Sequence, residues 1–132
     1  MRRATREFKF RGKSYNSGFW LYGNLAAPDF TFMDHYIYFE GKPRKVYPDT
    51  IGQYTGLKDK NGKEIYEGDI LKIGDSRVAE VYWSNEEAQY IAGNDGVELS
   101  LNRAYNHDGF GGSAIEIIGN IHDNLEQKGG EE

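Results

Sequence analysis

Short strand-like segments recur along this chain, with the alternation of a half-buried strand at 7–11, 69–73 and 97–101, and turn residues separate them about every eight to twelve positions. Glu7-Phe8-Lys9-Phe10-Arg11 predicts a first strand, and Gly12-Lys13-Ser14 a turn. Residues 18–26 predict a second strand with Phe19, Leu21 and Leu25 toward a core, ended by Pro28-Asp29. Residues 30–33 and 36–39 predict a third and a fourth, or one long strand with an irregularity, followed by a turn at 40–43 and a short extension at 45–47. Further strands are expected at 51–55, 64–66, 69–73, 77–83, 88–92, 97–101 and 114–121. Between them lie turns at 59–62, 67–69 and 84–87 and a glycine-rich loop at 106–112. Asn61-Gly62 is a strong hairpin signal because both residues tolerate positive φ. No amphipathic helix longer than two turns stands out, so the pattern describes a small barrel or sandwich.

Composition sharpens this picture. Nineteen aromatics and seventeen glycines against three prolines suit a β-rich protein with tight turns, and thirteen of the aromatics precede Thr55. At 132 residues the chain is expected to form one compact domain with an appended arm. The absence of cysteine excludes a disulfide scaffold, thiolate metal sites and a cysteine nucleophile. No apolar run approaches the roughly 18 residues of a membrane span, and Met1-Arg2-Arg3-Ala4-Thr5-Arg6-Glu7 has no apolar stretch behind its charges. A soluble, cytoplasmic protein without membrane partners is expected.

Charge is uneven. Residues 1–66 carry twelve Lys/Arg against seven Asp/Glu, giving +5, and residues 67–132 carry four against fourteen, giving −10. Such asymmetry marks either a basic surface for an anionic partner or charge that is balanced within one domain or between subunits. Candidate chemistry is thin. The histidines sit in Asp34-His35, His107-Asp108 and His122-Asp123, but neighbours in a strand point to opposite faces, which leaves only the loop pair His107-Asp108 as a local dyad. Asp59, Glu64, Glu67, Asp69 and Asp75 gather around two turns, yet Lys60 and Lys63 stand where a calcium loop needs oxygen ligands. No metal site and no cofactor is expected, and no catalytic residue is assigned. Arg2, Arg3, Arg6, Lys9, Arg11 and Lys13, followed by Tyr15, Trp20 and Tyr22, form a basic and aromatic run. Phosphate contacts and base stacking on such a run suit single-stranded nucleic acid, against which stands the overall acidity of a chain with pI near 5.2. A charged edge strand explains the same residues.

One longer stretch carries a resemblance. Residues 51–73 read Ile-Gly-Gln-Tyr-Thr-Gly-Leu, then Lys-Asn-Gly, then Tyr-Glu-Gly-Asp-Ile, and residues 116–124 read Glu-Ile-Ile-Gly-Asn-Ile-His-Asp-Asn. Together with Phe8-Lys9-Phe10-Arg11 these resemble the signature of the YopX-like family of phage and prophage proteins. The match rests on Gly52, Thr55, Gly56, Leu57, Asn61, Gly62, Tyr66, Gly68, Asp69, Ile70, Gly119 and Asn120. The resemblance implies a mostly β fold with little helix: an N-terminal β region with its basic arm over 1–50, a small SH3-like barrel over 51–124, and an acidic tail, 125–132, expected to be disordered. His122-Asp123 replaces the family's aromatic-Glu pair, and Leu125-Glu126-Gln127 follows Asn124 where the family usually continues with Pro and a Leu-containing helical end. The family brings no established activity. The signature glycines and Asp69 are explained by turn formation alone. The leading expectation is a non-catalytic accessory protein that self-associates and contacts a phage or host protein in a bacterial cytoplasm. Single-stranded nucleic-acid binding is the alternative, and a small-molecule enzyme using acidic residues and His107 comes third.

Overall fold

The structure is a computed structural model and describes residues 7–26, 34–75, 77–94, 96–106 and 114–123. The basic arm 1–6, the expected strand 30–33, the pair His107-Asp108 and the tail lie outside the described residues. The chain is mostly β, in two antiparallel sheets with little helix, and it divides into two compact units, Met1–Tyr54 and Thr55–Glu132.

The first unit is built from β1 (Phe10–Lys13), β2 (Trp20–Ala26), β3 (His35–Phe39), β4 (Lys42–Val46) and the first residues of β5 (Gly52–Lys58), in the order β4-β3-β2-β1-β5. The first strand starts later than its alternation suggests and runs through the turn expected at 12–14. The reversal falls instead at Ser14 to Gly18, where the Gly18 N–H donates to the Ser14 carbonyl at 2.8 Å. Gly12 is in the strand because of what it faces: a β-carbon there would sit 3.1 Å from Ile37 and from Val46. These two residues and Leu21 form the buried core, with Phe10, Phe39 and Ile51 packed against it. The β3–β4 hairpin turns on Glu40-Gly41, both at positive φ (53° and 77°), the geometry of a two-residue type I′ loop. Pro43 is accommodated because β4 is an edge strand. The sheet curls until Ser14 bridges Val46. The Tyr15 N–H reaches the Lys45 carbonyl at 2.9 Å and the Tyr47 N–H reaches the Lys13 carbonyl at 3.0 Å.

The second unit contains the rest of β5, its neighbour β6 (Glu64–Tyr66), and a five-stranded sheet in the order β10-β9-β8-β7-β11. Its strands are β7 (Asp69–Ile73), β8 (Arg77–Ser84), β9 (Gln89–Asn94), β10 (Val97–Ser100) and β11 (Ile115–Asn120). Strands β7 to β10 form a meander, and β11 returns to lie against β7, with a bulge between Ile117 and Gly119. Among the described residues no pairing closes this sheet into a barrel. Leu71, Ile73, Ala79, Val81, Ala92 and Ile115 project inward at the period of two and bury together with Ile65. The strand expected to reach Leu101 stops one residue short. The Ser100 hydroxyl accepts from the Arg103 N–H at 3.1 Å and caps a short helix, α1 (Leu101–Tyr105), which places Leu101 and Ala104 in the core.

Gly23 tests the β2–β3 pairing. A β-carbon at this position would lie 2.0 Å from the Tyr38 carbonyl oxygen, whereas one at Gly119 meets nothing within 4 Å. Gly23→Ala is expected to lower stability by at least about 2 kcal/mol, and Gly119→Ala to stay within about 0.5 kcal/mol of wild type. Thermal melts followed by circular dichroism check both.

Candidate functional site

Six signature residues, Asn61, Gly62, Tyr66, Gly68, Asp69 and Asn120, take part in hydrogen-bonded turns inside the second unit, while Gly52 belongs to the first. After β5 the chain turns through Asp59-Lys60-Asn61-Gly62, with the Gly62 N–H on the Asp59 carbonyl at 3.0 Å and the Asp59 N–H on the Lys63 carbonyl at 2.8 Å. Only Gly62 takes positive φ (81°), and Asn61 does not. The loop is therefore a type I turn with a glycine bulge, not the primed turn that Asn-Gly suggests. The Asp59 carboxylate, 6 % exposed, accepts from the Asn61 and Lys63 N–H groups, each at 2.9 Å, and from Ile117 N–H on β11 at 3.0 Å. Burial by itself pushes this carboxyl up. The three backbone donors, from Ile117, Lys63 and Asn61, and the Lys63 charge outweigh burial and hold it below the usual carboxylate range.

The next turn repeats the device. The Tyr66 N–H donates to Asp69 Oδ2 at 2.8 Å across Glu67-Gly68. The Gly68 N–H donates to the Val81 carbonyl at 2.8 Å, and the Ile121 N–H to the Gly68 carbonyl at 2.9 Å. Residues 121–123 then enter a helical turn capped by Asn120, whose Oδ1 accepts from the His122 and Asp123 N–H groups at 3.0 and 2.8 Å. On the outer face of the meander, Tyr82 hydrogen-bonds Glu98 across Gly93. That bond, with weaker contributions from burial and nearby carboxylates, pushes the Tyr82 phenol up to about 12.

The basic and aromatic run lies in the first unit. Lys13 faces Trp20 in the β1–β2 register, and Arg11 faces Tyr22. The Arg11 guanidinium lies 4.4 Å from the Trp20 ring centroid and the Lys13 ammonium 5.3 Å from it. Arg11 and Lys13 are only 5 % and 3 % exposed. Lys9 lies 5.6 Å from the Tyr54 ring and 3.5 Å from the Glu7 carboxylate. Tyr15 is half exposed, tilted against Tyr47 with 5.0 Å between ring centroids, and Lys45 sits 4.0 Å over its ring. The structure thus brings Arg11, Lys13 and Trp20 together and sets Tyr15 apart with Lys45. Arg2, Arg3 and Arg6 lie outside the described residues.

Asp34 pairs with Lys45 at 3.6 Å, while its neighbour His35 lies opposite Val46. Among the described residues no three His, Asp or Glu side chains gather as a metal cluster, and no helix is long and apolar enough to cross a membrane. One feature is not singled out by the sequence reading. Lys42, Arg44 and Lys45 line a cavity of about 360 Å³ in the first unit. Its signal is the run Lys42-Pro43-Arg44-Lys45, which reads as a turn and a short extension but folds as an edge strand.

A family model described as YopX protein matches residues 9–127 of the chain. Among solved structures, the chain is similar to the crystal structure of protein EF1440 from Enterococcus faecalis, with a TM-score of 0.57 and 25 % identity over 93 % of this chain and 99 % of that one. No curated protein matches it.

The Asp59 clasp carries a pH prediction. Its folded pKa is depressed, so its contribution is complete above the unfolded value near 4 and is lost as pH falls through the folded value. Asp59→Asn is expected to cost about 1–3 kcal/mol at neutral pH. The gap between variant and wild type should close below about pH 4, which urea denaturation at a series of pH values measures.

Proposed function

The chain belongs to the YopX family, and we propose that it is a non-catalytic accessory protein of phage or prophage type that acts through protein contacts, with a second copy of itself as its first partner. The observation that carries this reading is where the exposed apolar area lies. Of eleven exposed large hydrophobic side chains among the described residues, seven belong to the first unit, and Phe19 is 75 % exposed. Exposed apolar area concentrated in one unit supports reading that unit as the one that meets a partner.

Charge supports a second copy as the occupant. Residues 1–54 carry nine Lys/Arg and five Asp/Glu, giving +4, and residues 55–132 carry seven and sixteen, giving −9. A basic, aromatic unit and an acidic unit on one chain are complementary between copies, which suits a symmetric or head-to-tail dimer. The second unit is read as an SH3-like module. Four strands in a meander, a helical turn, and a last strand returning to the first support that reading.

Sedimentation velocity and light scattering test the proposal. The wild type is expected to sediment as a dimer or larger at micromolar concentration, and Phe19→Ser combined with Tyr38→Ser to sediment as a monomer with an unchanged melting temperature. A wild type that stays monomeric at high micromolar concentration sinks the reading. A mass gain only with a single-stranded oligonucleotide, reversed by salt, would replace it with nucleic-acid binding through the N-terminal strands.

A further inference from the structure

We infer that the first unit binds a small phosphorylated organic anion in the cavity lined by Lys42, Arg44 and Lys45. This site is independent of the self-association reading.

The cavity is an open groove of about 360 Å³, the low end of the range that holds small ligands, with Lys42 and Arg44 exposed on its lining. Its walls come from three places that the curled sheet brings together: the turn after β1, the start of β2, and the β3–β4 hairpin. Three cations line it, and among the described residues no carboxylate does. One of the three is already engaged, since Lys45 lies 3.6 Å from Asp34. Lys42 and Arg44 have no ion-pair partner among the described residues. Arg44 Nε donates to the Phe39 carbonyl at 3.4 Å, which orients the guanidinium and leaves its two terminal nitrogens for a bidentate contact. Such a fork matches phosphate geometry better than it matches a halide or a single carbonyl.

The polar wall completes the match. The Ser14 hydroxyl oxygen accepts from the Ser17 N–H at 3.3 Å, and the Ser17 hydroxyl oxygen accepts from the Phe19 N–H at 3.2 Å. Both oxygens act as acceptors toward the backbone, so each hydroxyl hydrogen is available to donate to an anion. Two hydroxyl donors, a guanidinium fork and an ammonium on one lining are the donor types that a phosphate group takes. Leu21, Phe39 and Pro43 supply the apolar part of the lining, beside Asn16. A free phosphate would leave that wall wet, and a ring or sugar attached to the phosphate would cover it. The chemistry is that of a phosphate monoester on a compact organic group, whether free or at the end of an oligonucleotide.

Two-dimensional amide NMR on the full chain tests this with inorganic phosphate, adenosine 5′-monophosphate, adenosine, and a short oligonucleotide with and without a 5′-phosphate. The monophosphate is expected to shift the amides of Ser17, Phe39, Lys42 and Arg44, and to bind more tightly than phosphate, while adenosine leaves them in place. Lys42→Ala with Arg44→Ala should weaken binding about tenfold or more at an unchanged melting temperature. Arg44→Lys, which keeps the charge and loses the fork, should weaken it by a smaller factor. Tighter binding of the 5′-phosphorylated oligonucleotide than of the monophosphate supports the site and identifies a nucleic-acid end as the source. No shifts at millimolar ligand overturn the inference, as do shifts that persist unchanged in the double variant.

Discussion

A single buried carboxylate ties together the parts of the second unit that are farthest apart in sequence. Asp59 collects two N–H groups from its own turn and a third from Ile117, 58 residues away. Without it, three partly buried donors would lose their acceptor, the one from Ile117 included. The same β-turn also sends the Lys60 N–H to the Ile115 carbonyl at 2.9 Å. One short loop therefore fixes the register of the last strand, and the last strand closes the core over Leu71 and Ile73. The Gly68 turn adds a second tie, to Val81 and Ile121. A signature that identifies a family is here a set of turn residues with long-range partners.

Local patterns were legible in the sequence and long-range ones were not. The meander from Asp69 to Ser100 was legible from alternation at 69–73 and 97–101 and from turn residues at its corners. Asp69 was legible as the acceptor of its own turn because an aspartate beside glycine has few other local options. Asp59 was visible only as one acidic residue among several, since its decisive partner is in a distant strand. The first strand was expected three residues early, because Glu7, Phe8 and Lys9 alternate before pairing begins at Phe10. Gly12 reads as a turn residue, yet it is a spacer against Ile37 and Val46. Leu101 continues a strand pattern, but Ser100 caps a helix before it.

The candidate sites divide in the same way. The basic run of β1 was legible as composition, and its burial against Trp20 was not, because exposure depends on the neighbouring strand. Cation–π contacts of this kind convert a charged residue into packing material, with its aliphatic stem covered and its head on a ring face. The cavity needed both the curl of the sheet and an edge strand through Pro43, neither of which is written in any local window.

The bridge between Ser14 and Val46 has a consequence for how other chains can approach. An exposed sheet edge normally offers unpaired backbone groups on which a foreign strand can be added, the route to β-augmentation and to fibril growth. On β4 the Lys45 carbonyl is already taken by Tyr15, and just beyond it the Tyr47 N–H is spent on Lys13. Proline at position 43 removes a further donor. The chain's own turn thus occupies one end of this edge, and the rest offers fewer donors than an open strand, which favours meeting another molecule there by side chains over extending the sheet.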